Sequence, residues 1–280
     1  MSTIYQILET VLPFQWIHYD FMKNAFLAIL IITPLFGILG TMIVNNRMAF
    51  FSDALGHSAF TGIAIGVLLG LSNTNLSMVL FAILFALALN KIKRMNTIST
   101  DTIISVFASL STSVGLVILS QNGNFSKYSN ILVGNILSIT PAEIGLLLLI
   151  FIITVVFWIT CFNRLHAMSL NESLANSKGI PTVLIDNLFV IIIALIVMLS
   201  IKWVGILIIN ALLILPAAGS RNIATNMREY HLYSIMISVF SGILGLLLSY
   251  YNNTATGPTI VIVASIIFFV TLAVRPLCKD

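Results

Sequence analysis

The chain has 280 residues, of which 59% are hydrophobic and only 8% are charged, and its mean hydropathy is +1.09. Soluble globular proteins carry about 25% charged residues, so this chain has too few polar side chains to cover its surface and stay dissolved as a monomer. The same figures exclude a disordered chain, a coiled coil and a disulfide-stapled secreted domain. They predict an all-α polytopic membrane protein, in which the net charge of +4 reflects topology and not nucleic-acid binding.

The first segment, residues 1–23, is not typical of a cleavable signal peptide, because it lacks a basic start and contains Glu9 and Asp20. Its apolar residues recur at the spacing of one helical face, at Ile4, Ile7, Leu8, Val11 and Leu12. This periodicity predicts a short helix lying on the membrane surface, with a frayed N-terminal tail as the alternative.

Apolar runs follow along the rest of the chain, and a helix needs about 20 such residues to cross the bilayer. The runs lie at 24–44, 52–71, 76–90, 102–119, 142–162, 183–200, 203–218, 231–250 and 258–274. Because 76–90 and 203–218 are short, and Lys202–Trp203 makes a thin loop, we predict eight or nine spans. The segment 131–139 is too short to span and is predicted to be a re-entrant or surface helix.

The basic residues indicate which side of the membrane each loop faces. Nine spans with the N-terminus outside place ten basic residues inside, namely Arg47, Lys91, Lys93, Arg94, Arg164, Lys178, Arg221, Arg228, Arg275 and Lys279. Three remain outside, Lys23, Lys127 and Lys202. This bias predicts an outside N-terminus and a cytoplasmic C-terminus. Cys161 and Cys278, at the ends of separate runs, then both face the cytoplasm, where a disulfide is not expected.

Asp53 and His57 are four residues apart, and on a helix this spacing places both side chains on one face. Arg47 is predicted to mark the membrane boundary, which puts the pair inside the bilayer, where an ionised carboxylate costs about 2.5–3.5 kcal/mol. One interpretation is an Asp–His hydrogen bond that locks helix packing. The other is a stop for a metal ion, since one carboxylate and one imidazole suit Mn²⁺, Fe²⁺ or Zn²⁺. Two ligands are too few, so a second copy would supply the same pair.

Small and polar residues on the neighbouring runs are predicted to serve packing or to line a pathway. Glycines continue the Asp53–His57 helix at four-residue intervals, at Gly62, Gly66 and Gly70. A hydroxyl stripe follows on the next run but one, at Ser105, Ser109, Thr112 and Ser113. Both patterns are typical of close helix–helix contact, and the stripe lines a pathway less often. Asn210 lies within the run 203–218, which ends at Pro216-Ala-Ala-Gly219, where we predict a kink.

The loop at 166–181 is predicted to carry a short helix on the cytoplasmic face. Ser169 with Glu172 three residues later predicts a capping box, and Gly179 followed by Pro181 ends the helix after two turns. Such a helix suits insertion into a groove on a partner protein, with a surface connector as the alternative.

Several blocks, read in order from about residue 24 to 275, are similar to the permease subunits of manganese/zinc/iron-type ABC importers. The blocks are Arg47…Ser-Asp53-Ala-Leu-Gly-His57-Ser-Ala…Gly62-Ile-Ala-Ile-Gly66, then Gly134-Asn-Ile-Leu137 with Pro141-Ala, and Val204-Gly205…Asn210…Pro216-Ala-Ala. The loop Glu172-x-x-Ala175-x-x-x-Gly179 resembles the segment by which such permeases contact their ATPase. The chain departs from the pattern at Gly56, where Ser is common, and at Thr61, where Pro is frequent.

The resemblance implies a single transmembrane permease domain over 1–280, in the plasma membrane of a prokaryote. It implies that Asp53 and His57 from both copies of a homodimer pass a zinc, manganese or iron ion, with no permanently bound cofactor. Glu172, Ala175 and Gly179 would couple the chain to a cytoplasmic ATP-binding subunit dimer, and an extracytoplasmic metal-binding protein would deliver the ion.

The chemistry expected of this chain is transport and not catalysis. The sequence contains no G-x-x-x-x-G-K-[ST] phosphate loop, so ATP hydrolysis would occur on a separate chain. An alternative function is a proton-coupled secondary metal-ion transporter that uses Asp53 and His57 as a proton relay. An intramembrane hydrolase lacks a nucleophile–base pair in the sequence.

Overall fold

The computed structural model describes residues 2–11, 14–71, 73–94, 99–121 and 128–278, and these residues are helical or irregular, without strands. The first helices are α1 (Ser2–Val11), α2 (Asp20–Asn45), α3 (Phe51–Leu68), α4 (Thr74–Lys93) and α5 (Thr100–Gln121). The later helices are α6 (Pro141–Leu170), α7 (Glu172–Ser177), α8 (Thr182–Val204), α9 (Ile206–Ile223), α10 (Met227–Asn252) and α11 (Thr256–Cys278).

Eight helices in the described residues are long and apolar enough to cross a membrane, namely α2, α3, α4, α5, α6, α8, α10 and α11. Helix α9 contributes a shorter apolar stretch. The polytopic all-α fold with eight or nine spanning helices is therefore confirmed. The N-terminal helix α1 also forms, and the ion pair between Lys23 Nζ and Glu9 Oε1 (2.5 Å) ties it to α2. The side chains of Ile4, Ile7 and Val11, and residue Leu12, lie outside the described residues.

Helix α2 lies at the centre of one group of helices and packs against α6, α9 and α10. Glycines make these contacts close: a Cβ on Gly37 would lie 2.8 Å from the Ile235 Cα, and one on Gly40 would overlap the Leu213 carbonyl. Ser234 of α10 donates a hydrogen bond to the Gly37 carbonyl (2.7 Å). Small residues and hydroxyl–carbonyl contacts are the usual means by which helices associate in lipid.

The predicted loop at Lys202–Trp203 is wrong, because both residues belong to α8 and the chain turns at Gly205, which has φ +90°. The predicted end of the next run at Pro216-Ala-Ala-Gly219 is also wrong, since α9 continues through Pro216 to Ile223. Helix α6 likewise continues to Leu170, so Cys161 is buried within a helix and not at its end. The side chain of Cys278 and residues Lys127 and Lys279 lie outside the described part of the chain.

The segment before α6 forms two 3₁₀ turns, Ser129–Leu132 and Ile136–Ser138, in place of the predicted helix over 131–139. These turns lie against the corner between α8 and α9. Gly134, with φ +69°, lies so close to this corner that a Cβ on it would be 2.4 Å from the Gly205 nitrogen. The Asn135 N–H donates to the Lys202 carbonyl (3.3 Å). We call this segment, residues 129–138, the wedge, because it packs into the corner between α8 and α9.

Candidate functional site

Helix α3 is enclosed by its neighbours, as the glycine spacing predicted. A Cβ on Gly62 would lie 2.6 Å from the Met78 Cα of α4, and one on Gly66 would lie 2.2 Å from the Ser77 Oγ. The prediction that Gly70 continues this helix is wrong, because α3 ends at Leu68. Gly70 follows the helix with φ +64°, and no described residue lies within 4 Å of a Cβ placed on it. Its left-handed conformation is a common way to end a helix.

Asp53 and His57 are the two partly exposed positions in an otherwise buried part of α3. Every other residue from Phe51 to Ala64 is buried, whereas the side chains of Asp53 and His57 are 39% and 29% exposed. The His57 Nε2 lies 3.7 Å from the Asp53 Oδ2, which is beyond the 2.7–3.2 Å of an N–H···O hydrogen bond. The two side chains therefore share a face, as the spacing predicts, but do not lock each other in place.

The number of donors at this pair matters for metal binding. Within the described residues, no group of three or more His, Cys, Asp or Glu side chains is positioned to hold a metal ion. One chain therefore offers a carboxylate and an imidazole, which is half of a four-coordinate set for a transition metal. The His57 Nδ1 is buried and has no hydrogen-bond partner among the described residues.

Asn210 supports the start of α3. The Ser52 hydroxyl, next to Asp53, donates a hydrogen bond to the Asn210 Oδ1 of α9. One turn further, Gly56 allows Ile206 of α9 to approach, with 3.3 Å between the Ile206 Cγ2 and a Cβ placed on the glycine. Ser52 was missed in the sequence, although it adjoins Asp53, because nothing local indicates that its hydroxyl meets a residue on a distant helix.

Replacing Asn210 by alanine is expected to weaken this support and to destabilise the folded chain. The substitution leaves the buried Ser52 hydroxyl without its acceptor, at a cost of about 1–3 kcal/mol. We expect the thermal midpoint in detergent to fall by about 2–4 °C per kcal/mol. The control is Asn163→Ala, at an exposed position on α6. An unchanged midpoint for Asn210→Ala would show that the contact is not important.

Within the described residues, the hydroxyl stripe on α5 is largely exposed, and only Thr112 is half-buried. Ser105 and Ser109 are exposed, beside exposed apolar residues such as Val106 and Leu110. The hydroxyl that contacts α3 is that of Ser111, which is buried and donates to the Thr61 Oγ1 at 3.0 Å. Thr61 also donates to the Ser111 carbonyl. The Thr that replaces a frequent Pro in the family pattern therefore joins α3 to α5.

Two cavities lie toward opposite ends of α3. One, of about 820 Å³, is bordered by Ile63 of α3, the start of α4, the wedge, Lys202 and residues 254–258. The other, of about 590 Å³, is bordered by Arg47, which precedes α3, and by residues of the 166–181 loop. Asp53 and His57 lie on α3 between Arg47 and Ile63, and neither borders either cavity.

The 166–181 loop contains the predicted short helix, α7, but with a different cap. The Asn171 Oδ1 accepts a hydrogen bond from the Leu174 N–H (3.0 Å), whereas the Ser169 hydroxyl donates to a carbonyl within α6, so the predicted capping box at Ser169 is wrong. Gly179, with φ +77°, follows the helix as predicted. The three residues predicted to couple to an ATPase differ in exposure. Ala175 is buried, whereas Glu172 and Gly179 are exposed.

A residue missed in the sequence reaches α7 from another helix. Arg94, at the end of α4, pairs through Nη1 with the Glu172 Oε1 (2.9 Å) and through Nη2 with the Asp186 Oδ2 (2.8 Å). In the sequence, Arg94 is one of the ten basic residues that predict which loops face the cytoplasm. No local signal indicates two carboxylate partners so far along the chain.

Closely packed spanning helices, a partly exposed ionisable pair within one of them and a short helix in a loop are the features of a polytopic membrane protein. The sequence profile described as the ABC 3 transport family matches residues 18–275, and the chain belongs to this family. This confirms the resemblance found in the sequence. The chain is the permease type of subunit of an ABC transporter.

Individual proteins match over most of the chain. The chain is 31% identical to the high-affinity zinc uptake system membrane protein ZnuB of Buchnera aphidicola subsp. Baizongia pistaciae, over 88% of this chain and 94% of that protein. It is 25% identical to the manganese transport system membrane protein MntC of Listeria monocytogenes, over 92% of each. The solved structure of PsaBC from Streptococcus pneumoniae in complex with Fab matches with a TM-score of 0.80 and 24% identity, over 97% of this chain and 95% of that chain. At this identity the structural match establishes the fold.

Proposed function

We propose that the chain is the membrane-spanning permease subunit of an ATP-driven importer of divalent transition metal ions, namely zinc, manganese or iron. Relatives named for zinc uptake and for manganese transport both match nearly the full length. The observation that carries the proposal is that Asp53 and His57 alone interrupt the buried stretch from Phe51 to Ala64. An ionisable pair is kept within a spanning helix at a cost, and binding a cation offsets that cost.

The metal site is completed by a second copy of the chain. Helix α4 packs antiparallel to α3, and α5 follows α4 in the opposite direction, so α3 and α5 run in the same direction. They meet where Thr61 contacts Ser111, which puts Asp53 and His57 at about the height of Ser105 and Ser109. The exposed α5 face with Ser105 and Ser109 lies at the same level of the bundle, and in the proposed dimer it forms part of the contact between the copies. Two such faces related by a twofold axis bring together two carboxylates and two imidazoles, a donor set that suits Zn²⁺, Mn²⁺ or Fe²⁺.

The ion passes between the two cavities by way of this shared site. The carboxylates offset its charge and the neutral imidazoles replace part of its hydration shell, so binding requires deprotonated ligands. Gly62 and Gly66 keep α3 close to α4, and Asn210 holds the start of α3. The site then opens to one side of the membrane at a time.

Partners act at the two ends of the permease. A dimer of ATP-binding subunits contacts the 166–181 loop from the cytoplasm, where Glu172 and Gly179 are exposed and Ala175 seats α7 on the bundle. An extracytoplasmic metal-binding protein delivers the ion to the cavity of about 820 Å³. This arrangement corresponds to a single domain over 1–280 in a prokaryotic plasma membrane, with the N-terminus outside and the C-terminus in the cytoplasm. The N-terminal segment 1–23 lies at the outer membrane surface.

Metal-resolved uptake tests this function directly. The permease and its ATPase are reconstituted in liposomes, and Zn²⁺, Mn²⁺ and Fe²⁺ uptake is measured with and without ATP. We expect accumulation of at least one ion that depends on ATP and stops when the ATPase is left out. Uptake driven by a pH gradient alone, without the ATPase, would instead support the proton-coupled carrier.

A further inference from the structure

Arg94 joins three helices at the end of the bundle where α7 lies. Its guanidinium sits between Glu172 of α7 and Asp186 of α8, with N–O distances of 2.9 and 2.8 Å. The Nη2 also donates to the Thr182 carbonyl at 3.4 Å. A planar guanidinium holds two carboxylates at once through donors with fixed geometry, which the single ammonium of lysine does not reproduce.

The two halves of this ion cluster differ in burial. The side chain of Asp186 is 10% exposed and that of Arg94 is 23% exposed, whereas Glu172 is 54% exposed. One turn earlier, the fully buried Asn90 donates to the Asn187 Oδ1 at 2.8 Å, which adds a second polar contact between α4 and α8. The α4–α8 junction is thus well anchored. The Arg94–Glu172 pair is open to water, where an ion pair contributes little to stability, so it can break and re-form readily.

Helix α4 connects this cluster to the helix that carries Asp53 and His57. Gly62 and Gly66 of α3 lie against the start of α4 so closely that no Cβ fits at either position. Closely packed helices transmit a displacement because their contacts do not compress. A displacement of α4 along or across its axis is therefore passed to α3.

We propose that Arg94 is a positioning residue that links α7 to α4, so that a movement of α7 imposed by the ATPase reaches the metal pair on α3. The inference rests on the proposed function, in which α7 contacts the ATPase. The exposed Arg94–Glu172 pair is the part of the link that changes during the cycle. The buried Arg94–Asp186 pair keeps the guanidinium in place.

The test compares metal ions moved per ATP hydrolysed by the complete transporter in liposomes. Arg94→Gln and Glu172→Gln are each expected to lower this ratio by at least about five-fold, the lower end of typical coupling between sites. Arg94→Lys, which keeps the charge but loses the fork, is expected to restore part of the ratio. Glu172→Gln leaves the buried pair intact and replaces Arg94→Gln if that variant does not fold. Because Glu172 also belongs to the proposed ATPase contact, its lowered ratio supports the tie only if the variant binds the ATPase as wild type does, and weaker binding would count against the tie.

Lys91→Gln is the matched control, because Lys91 is an exposed cation one turn earlier on α4. It removes the same charge from the same helix, and we expect it to leave the ratio unchanged. A fully assembled transporter in which neither Arg94→Gln nor Glu172→Gln lowers the ratio would overturn the proposal. So would an equal loss in Lys91→Gln, since it would show a general effect of charge.

A second measurement separates this proposal from the proposed function. Amide hydrogen exchange of residues 172–177 is measured for the permease alone in nanodiscs, without the ATPase. Arg94→Gln is expected to speed this exchange relative to wild type and Lys91→Gln, because α7 loses its tie to α4. Faster exchange together with uptake that never depends on ATP would mean that the tie exists but the ATPase coupling does not. Unchanged exchange would contradict the tie itself.

Discussion

Replacing Asp53 or His57 by alanine is expected to abolish metal uptake while the transporter still assembles. Each substitution removes one donor per chain and therefore two of the four donors that the proposed shared site would bring together, which would leave too few ligands for a transition metal. The loss of packing is small, because both side chains are partly exposed and neither is hydrogen-bonded to the other. We expect uptake to fall by at least about 100-fold, with little change in the thermal midpoint.

The controls match each substitution in residue type. Asp101→Ala removes an exposed carboxylate at the start of α5, and His18→Ala removes an exposed imidazole before α2. Both variants should keep wild-type uptake. Normal uptake by Asp53→Ala and His57→Ala would remove these residues from the metal path. A large fall in the thermal midpoint with partial uptake would instead favour the interpretation that the pair locks helix packing.

The sequence predicts the spanning helices well because a long apolar run has few other stable forms in a bilayer. Helix ends are less predictable. A proline predicts the end of a run at Pro216, yet α9 passes through it, since contacts with neighbouring helices in a bundle offset the missing hydrogen bond. The turn between α8 and α9 lies at Gly205 and not at the polar Lys202, because its backbone needs a positive φ that glycine adopts readily.

The Asp53–His57 pair was predictable because its members are one turn apart on one helix. Contacts between helices were not predictable in the same way. The hydroxyl stripe predicts that Ser105 and Ser109 on α5 pack against another helix. The contact with α3 is instead made by Ser111 and Gly115, on another face of α5. The spacing of Ser111 and Gly115, four residues apart, was the available signal, since small residues at this interval allow helices to approach.

The feature hardest to predict from the sequence is which charged side chains pair with each other. Arg94 and Asp186 are 92 residues apart in the chain, and only the folded arrangement of α4 and α8 brings them together. The count of basic residues, which predicts the side of the membrane that a loop faces, includes Arg94 but gives no information on its partners. A buried or half-buried charge needs a partner, however, so each carboxylate at the end of a spanning run was a candidate.

Replacing Gly134 or Gly205 by alanine is expected to prevent the wedge from seating on the α8–α9 corner and to destabilise the whole permease. Both glycines have positive φ, and their backbones touch: a Cβ on Gly205 would lie 2.4 Å from the Val133 carbonyl carbon. Backbone atoms cannot move aside as the end of a flexible side chain can. The cost therefore exceeds the roughly 1 kcal/mol of a left-handed alanine and should reach several kcal/mol, as for overpacked cores.

Two glycine controls separate the causes of that loss. Gly70→Ala adds a Cβ at positive φ in open space, and Gly145→Ala adds one to an exposed position within α6 with nothing nearby. Fluorescence-detected size-exclusion chromatography after heating should show a small loss for Gly70→Ala and none for Gly145→Ala. For Gly134→Ala and Gly205→Ala, the folded peak should be absent, or the temperature at which heating removes it should fall by at least about 10 °C. If Gly134→Ala behaves like Gly70→Ala, the strain of positive φ accounts for the effect, and the wedge does not press on the corner. If it behaves as we expect, the wedge is part of the frame that holds α9, and through Asn210 the start of α3, in place.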